Sequence, residues 1–136
     1  MPADLNRGIC GGIKVPNGGV YSTVGDLGRF MPTQTGSAPV SILSAESRAE
    51  MQEIQTPGSK DSGYGLGFDV RIGEGGIWMV GHEGMVAGYN AYIVFSPESA
   101  IEVVLLRNHT EGGTDMEQRA NGLLRELVTV NKTADI

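Results

Sequence analysis

The sequence predicts an α+β fold: an antiparallel sheet of about four strands, two short N-terminal helices before it and a C-terminal helix packed on it. Two observations lead to this prediction. Apolar residues recur at helical spacing near both ends of the chain, whereas in the middle they alternate with polar residues or glycine. Only short turn signals separate the alternating segments, which favours strands joined as a meander.

The first helix is predicted at the start of a helical segment, residues 22–56, which follows an irregular segment, residues 1–21. Thr23 and Asp26 have the spacing of a capping box. Pro32 is expected to end the helix and to begin a loop. The apolar residues that fall on one side of this helix are Leu27, Phe30 and Met31.

The second helix has a clearer beginning. Ser44 can cap it, and Glu46 complements the positive end of the helix dipole. Residues 56–59, Thr-Pro-Gly-Ser, read as the turn that ends it. Its apolar side combines Leu43, Met51 and Ile54.

The sheet is predicted over residues 64–107. Its first strand is the segment 64–72, in which apolar and small or polar residues alternate for nine positions. The last strand contains residues 100–106, which are apolar on both faces. A single helix covers only one face of a sheet, so we expect something else to cover the second face and an edge. The other two strands are predicted at residues 77–82 and 88–95.

The C-terminal helix is predicted over residues 114–130. Thr114 is expected to cap it, with Glu117 completing a capping box. An apolar stripe at helical spacing suits it to lie on the sheet. The stripe consists of Met116, Ala120, Leu123, Leu124, Leu127 and Val128.

The composition is that of one globular unit, residues 1–136, and it narrows the range of partners. Hydrophobic residues make up 40% of the chain and charged ones 19%, which suits a packed core. The net charge of -6 predicts no nucleic acid and no anionic membrane as partner, because phosphate groups would be repelled. The single cysteine, Cys10, excludes an internal disulfide. The spacing of His82 and His109 fits no known pattern of metal ligands, so we expect no metal site. We expect no cofactor either.

Residues 81–89 carry the strongest functional signal. They read Gly-His-Glu-Gly-Met-Val-Ala-Gly-Tyr, so a histidine at the end of a strand is flanked by glycines. Such a strand can expose backbone beside a substrate and direct one imidazole, that of His82, at it. The competing interpretation is a strand histidine that is merely hydrogen-bonded. Gly84 and Gly88 are expected where a side chain would intrude on a cleft or on the neighbouring strand.

The order of motifs resembles that of the serine beta-lactamase-related family. Residues 18–27, Gly-Gly-Val-Tyr-Ser-Thr-Val-Gly-Asp-Leu, are similar to its Gly-Gly-aliphatic-Tyr-Ser-Thr-x-x-Asp-Leu signature. Residues 64–68, Tyr-Gly-Leu-Gly-Phe, are similar to its Tyr-Gly-x-Gly-aromatic strand, and residues 81–84 to its His-x-Gly motif. The second predicted helix and the last, apolar strand also have counterparts in the family. The resemblance therefore covers about residues 17–130.

The resemblance implies a partial beta-lactamase/transpeptidase-like fold and a serine hydrolase that works through an acyl-enzyme. The family includes class C beta-lactamases, D-amino-acid peptidases, penicillin-binding carboxypeptidases and esterases, so a beta-lactam, a D-peptide and an ester all stay open as substrates. By resemblance, His82 and Gly84 form one wall of the cleft, and the main-chain amide of Met85 is one oxyanion donor. Glu83 and Gly88 are expected beside the substrate; the competing interpretation of Glu83 is a solvent-exposed or structural residue.

The chain departs from the family pattern where the nucleophile is expected. In the family the attacking serine lies in Ser-x-x-Lys, and a Tyr-x-Asn or Tyr-x-Ser motif supplies a second proton carrier. The residues three positions before Lys14, Lys60 and Lys132 are glycine, proline and threonine, so no Ser-x-x-Lys is present. No tyrosine is followed two positions later by Asn or Ser, so Tyr-x-Asn and Tyr-x-Ser are absent as well.

We therefore expect the C-terminal part of a longer hydrolase, inactive alone: a cleavage product, a truncated reading frame or an expressed piece. Its partners would be a small-molecule or peptide substrate and either the missing N-terminal half or a second copy of the chain. The alternative is a non-catalytic module that keeps this scaffold and uses an open sheet or groove for binding or self-association.

Overall fold

Six antiparallel strands in chain order form the sheet of the computed structural model, which describes residues 18–86, 88–110 and 113–134. The α+β meander predicted from the sequence is confirmed, with six strands in place of about four. Cys10 and most of the predicted irregular segment lie outside the described residues. The strands are β1 (Thr56–Ser59), β2 (Ser62–Tyr64), β3 (Asp69–Ile72), β4 (Trp78–Val86), β5 (Tyr89–Ser96) and β6 (Ile101–Arg107); the helices are α1 (Val24–Thr35), α2 (Ala45–Gln52) and α3 (Met116–Ala134).

The prediction of one strand over residues 64–72 is wrong, because the chain folds back within it. Tyr64 ends β2 and pairs with Asp69, the first residue of β3. The amide of Gly65 donates to the carbonyl of Phe68 at 2.8 Å and closes the turn. The alternation of apolar residues therefore continues through a hairpin and does not mark a single extended face.

The glycines of that segment explain why the hairpin forms. A Cβ on Gly65 would lie 2.3 Å from the carbonyl oxygen of Met51, so this backbone touches the end of α2. Gly67 has a φ of 86°, a left-handed conformation that side chains disfavour. Both positions therefore need glycine for a turn and a close contact.

Residues 56–59 form the edge strand β1, whereas the sequence predicted a turn. The pairing of Thr56 with Tyr64 places this strand beside β2. Pro57 cannot donate to a ladder, which is tolerated at a sheet edge. Nothing in the local sequence signals β1, because its formation depends on the hairpin that brings β2 next to it.

The first helix extends past Pro32 to Thr35, whereas the sequence predicted that Pro32 ends it. The proline removes one backbone donor, and the helix ends at Gly36, whose φ is 81°. Its beginning is as predicted, since the Asp26 amide donates to Thr23 Oγ1 at 3.1 Å.

The buried side of α1 differs in part from the predicted one. Met31 is fully buried, but Phe30 is 41% exposed. Gln34, one turn after Met31, is buried as well. The buried stripe is therefore rotated away from Phe30.

The caps of the other two helices fix their starting points. In α2 the Ser47 amide donates to Ser44 Oγ at 3.1 Å, as predicted. A backbone hydrogen bond, helped by the Ser44 side chain, lowers the pKa of Glu46 in this first turn. In α3 the Gln118 amide donates to Asp115 Oδ1 at 2.9 Å, so Asp115 caps this helix one residue after the predicted Thr114.

The helix α3 covers one face of the sheet. Its residues Ala120, Leu124 and Val128 are buried, whereas Leu127 of the predicted stripe is 47% exposed. An ion pair between Arg71 and Glu117 also joins β3 to this helix. The buried residues of this core are Ile77, Met79, Tyr92, Val94, Val103, Ala120, Leu124 and Val128.

The second face of the sheet is covered by α1 and by the end of α2, whereas the sequence predicted that this chain leaves it open. Met31 packs there, and Met51 and Ile54 border the same cluster. The apolar second face of β6 is thus explained within the chain. Among the described residues, exposed apolar side chains on this face include Val86, Tyr89 and Leu106 at one end and Ile72 at the other. The buried residues of this second core are Met31, Phe68, Val70, Val80 and Phe95.

Glu102 supplies a pH-dependent test of this second face. A Cβ on Gly28 of α1 would lie 4.0 Å from Glu102 Oε1, and burial raises the pKa of the Glu102 carboxyl. Ionisation of Glu102 therefore lowers the free energy of unfolding. The whole loss is present at pH values above the raised pKa, and none of it is present below the ordinary pKa of 4.5. We expect Glu102→Gln to raise the free energy of unfolding slightly at about pH 7 and to have no effect below about pH 4. Urea unfolding at both pH values measures this, and an equal gain at both would contradict it.

Candidate active site

The second half of β4 forms an open edge within the described part of the chain. β3 pairs with β4 only as far as Gly81, which lies opposite Asp69. β5 pairs with β4 from Val80 to the end of the strand, where Val86 lies opposite Tyr89. Beyond Gly81, β4 therefore keeps one neighbouring strand and exposes its other edge.

The register determines which backbone groups point to that edge. Val86 and Tyr89 are joined by only two residues, so they form a hydrogen-bonded pair. Alternation along an antiparallel ladder then turns the amide and carbonyl groups of Glu83 and Met85 away from β5. The main-chain amide of Met85 thus points toward the open edge.

The side chain of His82 is exposed and is not enclosed in a core. Its Nδ1 contacts the carbonyl oxygen of Glu83, next to it in the chain. Its Nε2 lies 3.0 Å from the hydroxyl of Tyr64. The two rings meet edge to face, with centroids 6.1 Å apart and planes at 74°. His82 is therefore hydrogen-bonded and also accessible at the end of the sheet.

The two glycines of the motif are not required by contact with a neighbouring strand. A Cβ on Gly84 or on Gly88 would meet no described atom within 4 Å. Gly88 instead has a φ of 83°, which the tight connection to β5 requires. Gly84 leaves open space on the face that carries His82, because residues two apart in a strand share a face.

The side chains of Glu83 and Met85 lie on the opposite face from His82. Glu83 pairs with Tyr92, which is buried in the core beneath α3. Met85 is 74% exposed. Of the residues predicted for the site, His82 and Gly84 thus share a face, whereas Glu83 and Met85 reach the edge through their backbone groups.

Tyr64 is the residue at this site that the sequence did not identify. The predicted long strand left the distance between Tyr64 and His82 undetermined, because the position of the hairpin was missed. The signal that could have found it is the pair of glycines, Gly65 and Gly67, which mark a turn directly after Tyr64.

The described residues also lack two other kinds of feature. They contain no cluster of three or more His, Cys, Asp or Glu side chains able to hold a metal ion. None of the helices they form is long and apolar enough to cross a membrane.

Comparison with known proteins links this geometry to a family. The family model for beta-lactamase matches residues 1–127. Among solved structures, the octameric penicillin-binding protein homologue from Pyrococcus abyssi is similar, with 28% sequence identity and a TM-score of 0.69. The match covers 79% of this chain and 24% of that protein, so the chain spans about a quarter of the relative's length. No curated protein matches the chain.

Proposed function

Because this chain belongs to the beta-lactamase family, we propose that it is the C-terminal part of a serine hydrolase that cleaves an amide or ester through an acyl-enzyme. The attacking serine then comes from polypeptide outside these residues, since the sequence contains no Ser-x-x-Lys. The observation that carries the proposal is the open half of β4. It holds the Met85 amide at a sheet edge, close to an exposed His82.

The Met85 amide acts as an oxyanion donor in this proposal. Attack by the serine places negative charge on the carbonyl oxygen of the substrate, and a donor that is already oriented stabilises that charge without reorganisation. The ladder with β5 fixes the orientation of β4, so the amide is held ready. Loss of one such donor typically costs about 3–4 kcal/mol of activation barrier.

The neighbouring residues have distinct roles in the same wall. His82 presents its ring on one face of β4, and Gly84 leaves room for the substrate on that face. Glu83 contributes its carbonyl oxygen, which holds the ring of His82, since its side chain lies on the other face. Gly88 allows the tight connection that sets the register of Met85.

The similarity to a penicillin-binding protein homologue makes a beta-lactam the first substrate to test. We expect the purified 136-residue chain to show no turnover of nitrocefin or of a p-nitrophenyl ester, because it lacks the attacking serine. Sustained turnover would contradict the location of the nucleophile.

The coding DNA before Met1 provides a second test. An in-frame Ser-x-x-Lys is expected there. A stop codon would contradict the hydrolase and support the non-catalytic module.

Self-association is proposed as well, because the similar protein is octameric and because apolar side chains are exposed at one end of the sheet. Val86, Tyr89 and Leu106 lie on neighbouring strands and are 40%, 42% and 39% exposed. Register places all three on the face of His82, where the missing N-terminal half or a second copy would bury them. Sedimentation at high protein concentration is expected to show species larger than a monomer, and a single monomeric species would contradict this.

A further inference from the structure

Both ring nitrogens of His82 are engaged, and the nature of their partners determines where the proton lies. The partner of Nδ1 is the carbonyl oxygen of Glu83, which can only accept. Nδ1 therefore carries the hydrogen in the neutral ring, and Nε2 has a free lone pair. The hydroxyl of Tyr64, 3.0 Å from Nε2, is then the donor of the second hydrogen bond.

We propose that Tyr64 is a further catalytic residue of this cleft, a phenol that exchanges protons with the substrate while His82 acts as its base. The inference rests on the proposed function, since it assigns a residue to the same site. It differs from the assignment based on sequence, in which the imidazole itself faces the substrate.

The contacts of the pair support this division of roles. With Nδ1 and Nε2 both hydrogen-bonded, the phenol oxygen is the atom of the pair that still has a free lone pair. Tyr64 is 39% exposed, and its hydrogen bond to His82 lies at the surface. The edge-to-face contact with His82 and the position of Tyr64 at the end of β2 hold the phenol in place.

The proton transfers balance. In hydrolysis of the acyl-enzyme, the attacking water gives its proton to the Tyr64 oxygen, and the proton of Tyr64 moves to Nε2 of His82. The ring becomes an imidazolium ion, while the Nδ1 hydrogen stays with the Glu83 carbonyl. When the leaving group departs, the same two transfers run in reverse and restore the neutral pair.

The chain offers a matched control for this activation. Tyr89 is 42% exposed, nearly the same as Tyr64, and makes no hydrogen bond to an imidazole among the described residues. A phenol is a weak nucleophile by itself and reacts faster when a base takes its proton. A reagent that acylates tyrosines should therefore distinguish Tyr64 from Tyr89.

The test is limited acetylation of the 136-residue chain by N-acetylimidazole, with the rate at each tyrosine measured by peptide mass spectrometry. The acetyl group bonds to the phenol oxygen, the phenolic proton moves to Nε2, and the reagent's imidazole leaves. Tyr64 should react at least about tenfold faster than Tyr89. In His82→Gln its rate should fall to that of Tyr89. Equal rates in the unaltered chain would overturn the proposal.

The deciding result of a second measurement comes from the unaltered chain. The ¹⁵N NMR shifts of the neutral His82 ring should report hydrogen on Nδ1 and a lone pair on Nε2, and Tyr64→Phe should raise the share of the other tautomer. Hydrogen on Nε2 in the unaltered chain would overturn the proposal. Both readouts are independent of turnover, so failure of the proposed hydrolase and failure of this pair give different results.

Discussion

Gly81→Ala should lower the free energy of unfolding by about 3 kcal/mol. A Cβ at this position would lie 2.3 Å from the carbonyl oxygen of Ile93 and 3.2 Å from the Cα of Val94. Both are backbone atoms of β5. At Gly81 the strand β4 is paired on both sides, with β3 and with β5, so neither neighbour can move away without breaking ladder hydrogen bonds. Urea unfolding followed by circular dichroism measures the loss.

Gly84→Ala is the matched control, with the same change three residues further along β4. Its Cβ would meet no described atom within 4 Å, so the free energy of unfolding should change by less than about 0.5 kcal/mol. Equal losses for the two variants would contradict the register of β4 against β5 and with it the position of the open edge.

Phe95→Ala should cost about 3–5 kcal/mol of stability. Phe95 is fully buried between the sheet and α1. Its ring meets that of Phe68 edge to face at 5.7 Å. Truncation therefore removes apolar burial and an aromatic contact and leaves a cavity at the centre of the second core. The midpoint of thermal or urea unfolding provides the measurement.

Phe30→Ala is the control for that prediction. The sequence placed Phe30 on the apolar side of the first helix, but in the structure it is 41% exposed on α1. Its truncation should therefore cost less than about 1 kcal/mol. A loss as large as that of Phe95→Ala would mean that Phe30 is buried, and it would contradict the observed orientation of α1.

Local signals in the sequence predicted much of the fold. Thr23 and Ser44 cap the first two helices because each needs only the residues that follow it. The prediction failed where a contact distant in sequence decides the outcome. Gly65 is held against the carbonyl of Met51, so the chain turns where its alternation suggested a straight strand. The new edge strand β1 follows from the same hairpin.

The candidate site could also be predicted only in part: its backbone features follow from local sequence, but the partner of His82 does not. The glycines around His82 indicated exposed backbone, and the register supports a Met85 amide at an open edge. The partner of His82 was missed, because Tyr64 is 18 residues away and approaches only through the hairpin. The faces of Glu83 and Met85 follow from period-two alternation, once the neighbouring strands are known.

Amide hydrogen exchange along β4 tests the central claim most directly. If the second half of β4 has an open edge, the amides of Glu83 and Met85 should exchange rapidly in the isolated chain. Those of His82 and Gly84, which point into the ladder with β5, should be strongly protected. Protection of the Met85 amide equal to that of Gly84 would mean that no donor is available at this edge, and the account of the cleft wall would be wrong.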